Sequence, residues 1–225
     1  QPQNPDGSWK LDNPTGIFNT LYLAYNNINR NEATRAISNS QFSYQIVDGL
    51  KFRTTFGIDY INSNVHSYES PEHGGGLPEN GTSYMTNGRT FNWTTQNNLE
   101  YDVIIGDNEH FVSALLSQRF QKNKYMTNYS YGENVAAMGL IYPSSFGTNQ
   151  ASAGSFSDWK ALSYLALVNY SYKDKYIVDL SYRNDGSSRF AADYRFGNFY
   201  SAGVARNLSN ENFLADSEVV DNLKV

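Results

Sequence analysis

His66, Glu69, Glu72 and His73 fall within one short stretch, and imidazoles and carboxylates are the side chains that hold divalent cations. Their spacing matches no ligand rule for zinc or calcium, and Gly74-Gly75-Gly76 follows directly, where a preorganised cage would need a stiff backbone. The expectation is a solvated loop with no metal and no cofactor. Glu100 and Asp102 share one face of an alternating segment, as the paired acids of a glycosidase would, yet the same spacing makes a polar wall, the reading preferred here. Gly186-Ser187-Ser188 lacks a nucleophile elbow, and only His66, His73 and His110 could act as base, so no catalytic residue is expected. Tyr125, Tyr129, Tyr131 and Tyr142, with Phe146, lie in a polar stretch; aromatic faces stack on sugars and anchor interfaces. Self-packing is their simpler use, and the four tyrosines are the candidate substrate contacts.

Composition limits what could position such groups. The chain has 225 residues, 40% of them hydrophobic, with a mean hydropathy of -0.58. Eighteen Tyr, thirteen Phe and three Trp suit pleated, half-buried surfaces and argue against disorder. No stretch reaches the roughly 18 apolar residues of a membrane helix, whereas a membrane strand needs an apolar residue only at every second position. The N-terminal Gln1-Pro2-Gln3-Asn4-Pro5 shows no signal-peptide pattern. A net charge of -5 with scattered basic residues gives no stripe for phosphate backbones, so nucleic acid is not an expected partner. Cysteine is absent, which removes disulfides and thiolate chemistry.

The elements read as strands. From Phe91 to Ile105 apolar and aromatic residues favour odd positions, and from His110 to Phe120 they favour Val112, Ala114 and Leu116. A connection over 106–109 pairs Val103 with Val112 and Leu99 with Leu116, so the apolar faces coincide. Gln41–Val47 and Leu50–Tyr60 form another hairpin. Matching Ile46 with Leu50 predicts a Val47-Asp48-Gly49 loop with Gly49 left-handed. A third joins Leu162–Tyr172 to Tyr176–Tyr182 through Lys173-Asp174-Lys175. Between them lie longer connections, over about 61–90, 121–158 and 184–198, and this alternation of short and long connections is that of outer-membrane barrels. Tyr170, Tyr172 and Tyr176 at one end, and Phe91, Trp93 and Phe120 at the other, could form two interfacial girdles. Lys51, Arg53, Asp59, Glu100, Asp102, Arg119, Asp179 and Arg183 would line a wet lumen. Ile17–Asn26 is expected to be a strand or an ordered loop, and the first 35 residues stay otherwise unassigned.

Three motifs carry a family resemblance: the run from Asp48 to Tyr60; Asn97-Asn98-Leu99-Glu100-Tyr101 with Ala114-Leu115-Leu116; and Arg183-Asn184-Asp185-Gly186-Ser187-Ser188-Arg189-Phe190 followed by Tyr194-Arg195-Phe196-Gly197. The last is the strongest. Together they resemble the middle-to-late barrel of the SusC/RagA-like TonB-linked outer-membrane transporters of Bacteroidota, from about Ala36 onward. Tyr200 and Arg206 depart from the family's usual Pro and Trp. The resemblance implies an all-β, antiparallel transmembrane barrel, present as about eight strands, with residues 1–225 one part of that domain and the plug and other strands missing. It further implies no enzymatic step, import of oligosaccharides or peptides with a SusD-like surface lipoprotein, energy from the TonB complex reached through the missing N-terminal part, and outer-membrane lipid as surroundings. The alternatives are a soluble β-sandwich binding glycans through exposed tyrosines and a small complete porin.

Overall fold

The computed structural model describes residues 2–12, 16–214 and 223–225. Seven strands make one sheet in chain order: β1 (Ile28–Val47), β2 (Leu50–Glu69), β3 (Thr82–Ile105), β4 (His110–Val135), β5 (Phe146–Tyr172), β6 (Tyr176–Ser187) and β7 (Phe196–Arg206). Residues 223–225 begin a further pairing, since Asn207 bridges Lys224 and the backbones of Arg206 and Val225 exchange both hydrogen bonds, at 2.7 and 3.0 Å. The all-β, antiparallel expectation holds, with seven strands in the sheet and the bridge at Lys224 starting an eighth segment.

The three short connections follow the expected chemistry. Only Asp48 and Gly49 lie between β1 and β2; Gly49 takes φ +78° while Asp48 stays out of the left-handed region, the pattern of a loop closed by a left-handed glycine. The Asp102 amide donates to the Gly49 carbonyl at 2.9 Å, which fastens the end of β3 to this turn. Between β3 and β4, Gly106, Asp107 and Asn108 all have positive φ, a conformation that Asp and Asn tolerate best among residues with side chains. Hydrogen bonds Ser117 Oγ to Asn98 Oδ1 (2.7 Å) and Asn97 Nδ2 to Gln118 Oε1 (3.3 Å) run at the spacing that Val103–Val112 pairing requires. In the third hairpin Tyr172 faces Tyr176, Tyr170 faces Val178 and Val168 faces Leu180, as the matched parities dictate.

The long connections differ from expectation. β1 to β5 run 20 to 27 residues each, so most of 61–90 and 121–158 is strand. Only 70–81, 136–145 and 188–195 lie between strands there. These outer stretches carry polar residues on both faces, which erases the period-two signal while leaving ladder hydrogen bonds intact.

Ile17–Asn26 also differs: Thr20–Asn26 is a short helix, α1. Asn19 caps it, its side-chain oxygen accepting from the Leu21 and Tyr22 amides at 3.1 Å. Tyr22 is buried, with Trp9 and His73 edge-on against its ring at 5.7 and 5.5 Å. Tertiary packing thus selects a helix that local alternation does not announce.

The chain divides into two compact units. The first takes residues up to 36, 59–91 and 124–157, and holds a small core of Tyr68, Val135 and Phe146, flanked by Ile28 and Ile141. The second takes 37–58, 92–123 and 158 onward. Among the described residues every buried hydrophobic side chain belongs to the first unit. The second therefore has an apolar face with no protein cover.

Candidate functional site

Alternation splits the second unit into two unlike surfaces. Phe52, Leu99, Leu116, Tyr164, Ala166 and Tyr182 line one groove, and Val168, Leu180, Tyr200 and Ala202 line the next on the same face. On the other face Gln96, Ser117, Arg119, Gln121, Ser163 and Arg183 surround a cavity of about 350 Å³. Uncovered apolar positions are unfavourable in water at roughly 25 cal/mol per Å², and this face is continuous across several strands.

Rings gather at two levels of this apolar face. Tyr172 and Tyr176 stack at 6.5 Å beside a short turn, and His110 lies 4.9 Å from Tyr172 and accepts or donates a 2.7 Å bond at the Tyr170 hydroxyl. Trp93 contacts Phe56 at 6.1 Å and Phe120 at 5.0 Å. From His110 to Phe120 an antiparallel strand rises about 34 Å, and at the usual tilt of a membrane barrel that spans about 25 Å, the height of its apolar band. Arg206 has an aromatic partner: its guanidinium lies 5.3 Å over the Tyr176 ring and pairs with Glu211 at 2.6 Å. That pair holds the Glu211 carboxyl below its ordinary value.

The opposite face holds the expected charges. Arg53 pairs with Glu100 at 3.1 Å, Arg183 with Asp185 at 2.7 Å, and Asn169 donates to Asp179. In the first unit Arg35 grips Asp59 through two bonds of 2.8 Å. The glycosidase-like pair Glu100 and Asp102 is thus tied at Glu100 to an arginine of the neighbouring strand.

The Arg183 to Phe190 motif is a device for passing from β6 to β7. Gly186 faces Leu162 on one side and Phe196 on the other, and the Phe196 ring occupies the place where a Cβ would stand. Ser188 locks the turn to β5, its Oγ accepting from the Lys160 amide at 2.8 Å while its own amide donates to the Lys160 carbonyl at 2.9 Å. The Ser187 amide donates to the Arg195 carbonyl, and its Oγ accepts from the Arg189 amide. The Arg189 guanidinium lies 5.0 Å over Trp159, and Phe190 is exposed. Every contact here is structural.

The four candidate tyrosines are dispersed. Tyr125, Tyr129 and Tyr131 lie on β4 and not in a loop; only Tyr142 belongs to a connection. Tyr129 and Tyr142 line a cavity of about 740 Å³ in the first unit, together with Arg30, Glu32, Asn64, His66, Asn87 and Asn128. Tyr84 shares a ring contact with Tyr129 at 5.9 Å, and the Tyr125 hydroxyl lies beside Gly88. Tyr131 donates to Glu133 at 2.6 Å, and that carboxylate, aided by burial, pushes the phenol up to about 12. The protonated phenol is the bonded form, so this contact stabilises fully below the ordinary value of 10.0 and is lost as pH rises through about 12. Phenolate absorbance in Tyr131→Phe should lack one late-ionising tyrosine; an unchanged alkaline titration contradicts the assignment.

The histidine–glutamate stretch is divided among separate tasks. His66 Nε2 donates to the Ile141 carbonyl at 3.1 Å, His73 Nε2 accepts from the Asn19 amide at 2.7 Å, and Glu72 accepts from the Tyr22 hydroxyl at 3.0 Å. Among the described residues no group of three potential ligands converges on a cation position. Arg30, Glu32, Asn64, Asn87 and Asn128 were invisible to sequence reasoning as a group. They are polar residues spread over β1, β2, β3 and β4, and only the pairing of those strands brings them together.

Sequence comparison decides the relationship. The chain aligns over 98% and 99% of its length with two TonB-dependent receptors of Formosa agariphila, at 28% and 29% identity, and over 99% with the TonB-dependent receptor SusC of Bacteroides thetaiotaomicron at 24%. The chain is related to the SusC-like TonB-dependent receptors. It spans only 22–23% of the length of these relatives. No family model matches it. In fold, it superposes over 99% of its length on the RagAB peptide transporter with a TM-score of 0.81 and 21% identity, covering 26% of that chain.

Proposed function

We propose that this SusC-like chain is one stretch of barrel wall in a TonB-dependent transporter of the bacterial outer membrane, residues 1–225 forming part of a single barrel domain completed by further strands and a plug. The observation that carries the reading is the second unit's uncovered apolar face, bounded by two aromatic levels about 25 Å apart and backed by a polar face with ion pairs. Lipid is the solvent that makes such a face favourable. The parent protein imports oligosaccharides or peptides under a SusD-like lipoprotein and draws energy from the TonB complex; this stretch contributes wall and performs no chemistry. A soluble glycan-binding sandwich is disfavoured, because among the described residues no second sheet covers the apolar face.

Uptake tests this. Cells expressing the full-length protein should accumulate labelled oligosaccharide or peptide pools, and loss of TonB should reduce accumulation to background. Recovery of the protein in the soluble fraction, or accumulation indifferent to deleting its gene, would overturn the reading.

A further inference from the structure

The 740 Å³ cavity of the first unit takes its polar β1 and β2 residues from the parity opposite to that of the Arg35–Asp59 pair. Asn64 and His66 are even positions of β2, Asn87 an odd position of β3 and Asn128 an even position of β4. That is the parity of Tyr60 on β2 and of Phe91 on β3, within the same unit. The alternation carries through without a slip: Asn87 Nδ2 donates to Asn62 and Asn64 across the strands, just as the Tyr60 and Phe91 rings meet at 6.4 Å lower down. Asn64 and His66 stand four and six residues beyond Tyr60, about 10 to 16 Å along the membrane normal at a barrel strand's tilt. On the transporter reading, on which this inference rests, the cavity opens outward, beyond the Tyr60–Phe91 ring pair.

We propose that this cavity binds the saccharide head of an outer-leaflet glycolipid. Its size is that of a small-ligand site. The chemistry is that of sugar recognition. Amides and hydroxyls donate and accept, and an aromatic face stands ready for the apolar side of a pyranose ring. The Tyr142 ring lies flat against His66, 5.8 Å away at 13°, and its residue is 56% exposed. This platform is fixed in advance. His66 Nε2 and Ser83 Oγ both donate to the Ile141 carbonyl, at 3.1 and 2.6 Å, and pin the connection just before Tyr142. Asn87 Nδ2 is spent on Asn62 and Asn64, which leaves the other amide groups of the cavity for a ligand. Arg30 and Glu32, only 3.7 Å apart and about two-thirds exposed, add an exchangeable donor and acceptor at the rim.

Saccharide of this kind has two sources, the membrane glycolipid and a free nutrient oligosaccharide. The full-length protein in mild detergent is titrated with rough-type lipopolysaccharide (lipid A plus core sugars), with lipid A alone, and with a free maltooligosaccharide. The expected result is that Tyr142→Ala and the double variant Asn87→Ala/Asn128→Ala each bind rough lipopolysaccharide about tenfold more weakly, while Tyr142→Phe stays within about twofold of the parent and lipid A alone does not distinguish them. Unchanged binding by Tyr142→Ala and the double variant overturns the proposal. So does a free oligosaccharide that binds this cavity as tightly as the glycolipid, since it assigns the cavity to nutrient. Failure of the transporter reading itself looks different: the protein would stay in solution without detergent, whichever residues affected sugar binding.

Discussion

Replacing Leu180 with arginine costs the folded protein about 2–4 kcal/mol in a bilayer, the penalty for a cation on the lipid face of a barrel. Leu180 is half exposed and sits between Val168 of β5 and Ala202 of β7, so three apolar side chains in register face the same surroundings. A guanidinium there must either desolvate or drag water into the apolar band. The neighbouring Ser181, one residue along and on the other face, exchanges a hydroxyl bond of 2.6 Å with Ser201. Ser181→Lys loses that bond and gains a charge beside water, at a cost of at most about 1 kcal/mol. Urea unfolding of the full-length protein in lipid vesicles, followed by gel mobility of the folded form, measures both. Equal losses at the two positions would mean that both faces meet the same solvent.

Gly186→Val should prevent the β6-to-β7 passage from closing. The Phe196 ring stands where the new side chain must go, and β5 pairs with Gly186 from the other side. A ring laid over a strand glycine is a cross-strand device that fills the missing side chain's volume. Overpacking such a site costs about 1–3 kcal/mol, and the anchoring of Ser188 to Lys160 next to it gives the strain no easy outlet. The double variant Gly186→Val/Phe196→Ala removes the ring and should regain most of the loss. If the double variant is simply the sum of two penalties, the ring is not what excludes the side chain.

Those two positions also show which parts of the fold were legible in the sequence. The register of β5 with β6 follows from parity alone, because one face is apolar and a one-residue slip would turn it inside out. Gly49 was legible for the same reason, matching apolar faces across a turn too short for anything but a left-handed residue. Tyr131 shows the limit. It reads as a loop residue because its neighbours on β4 are polar on both sides, yet long ladders hold that stretch as strand. Strand pairing without a buried face leaves little trace in hydropathy. The helix at Thr20–Asn26 was hidden differently: its Asn19 cap is local, but the seat of Tyr22 between Trp9 and His73 depends on residues far apart in sequence. The cavity around Tyr142 was half legible. Its aromatic ring stands out in the sequence, but its amide partners come from three different strands and need the registers before they can be grouped.

Nitroxide scanning along β5 and β6 tests the central claim most directly, and the chain offers no thiol of its own to compete with the label. Single cysteines at Ala166, Val168, Val178 and Leu180, and at Leu165, Leu167, Asp179 and Ser181, are labelled in the full-length protein in lipid bilayers. Collision with dissolved oxygen against collision with a water-soluble nickel chelate then reports the surroundings of each. The even set should favour oxygen and the odd set the chelate, in strict period two along both strands. Chelate access at both sets alike would place both faces in water and contradict the membrane wall.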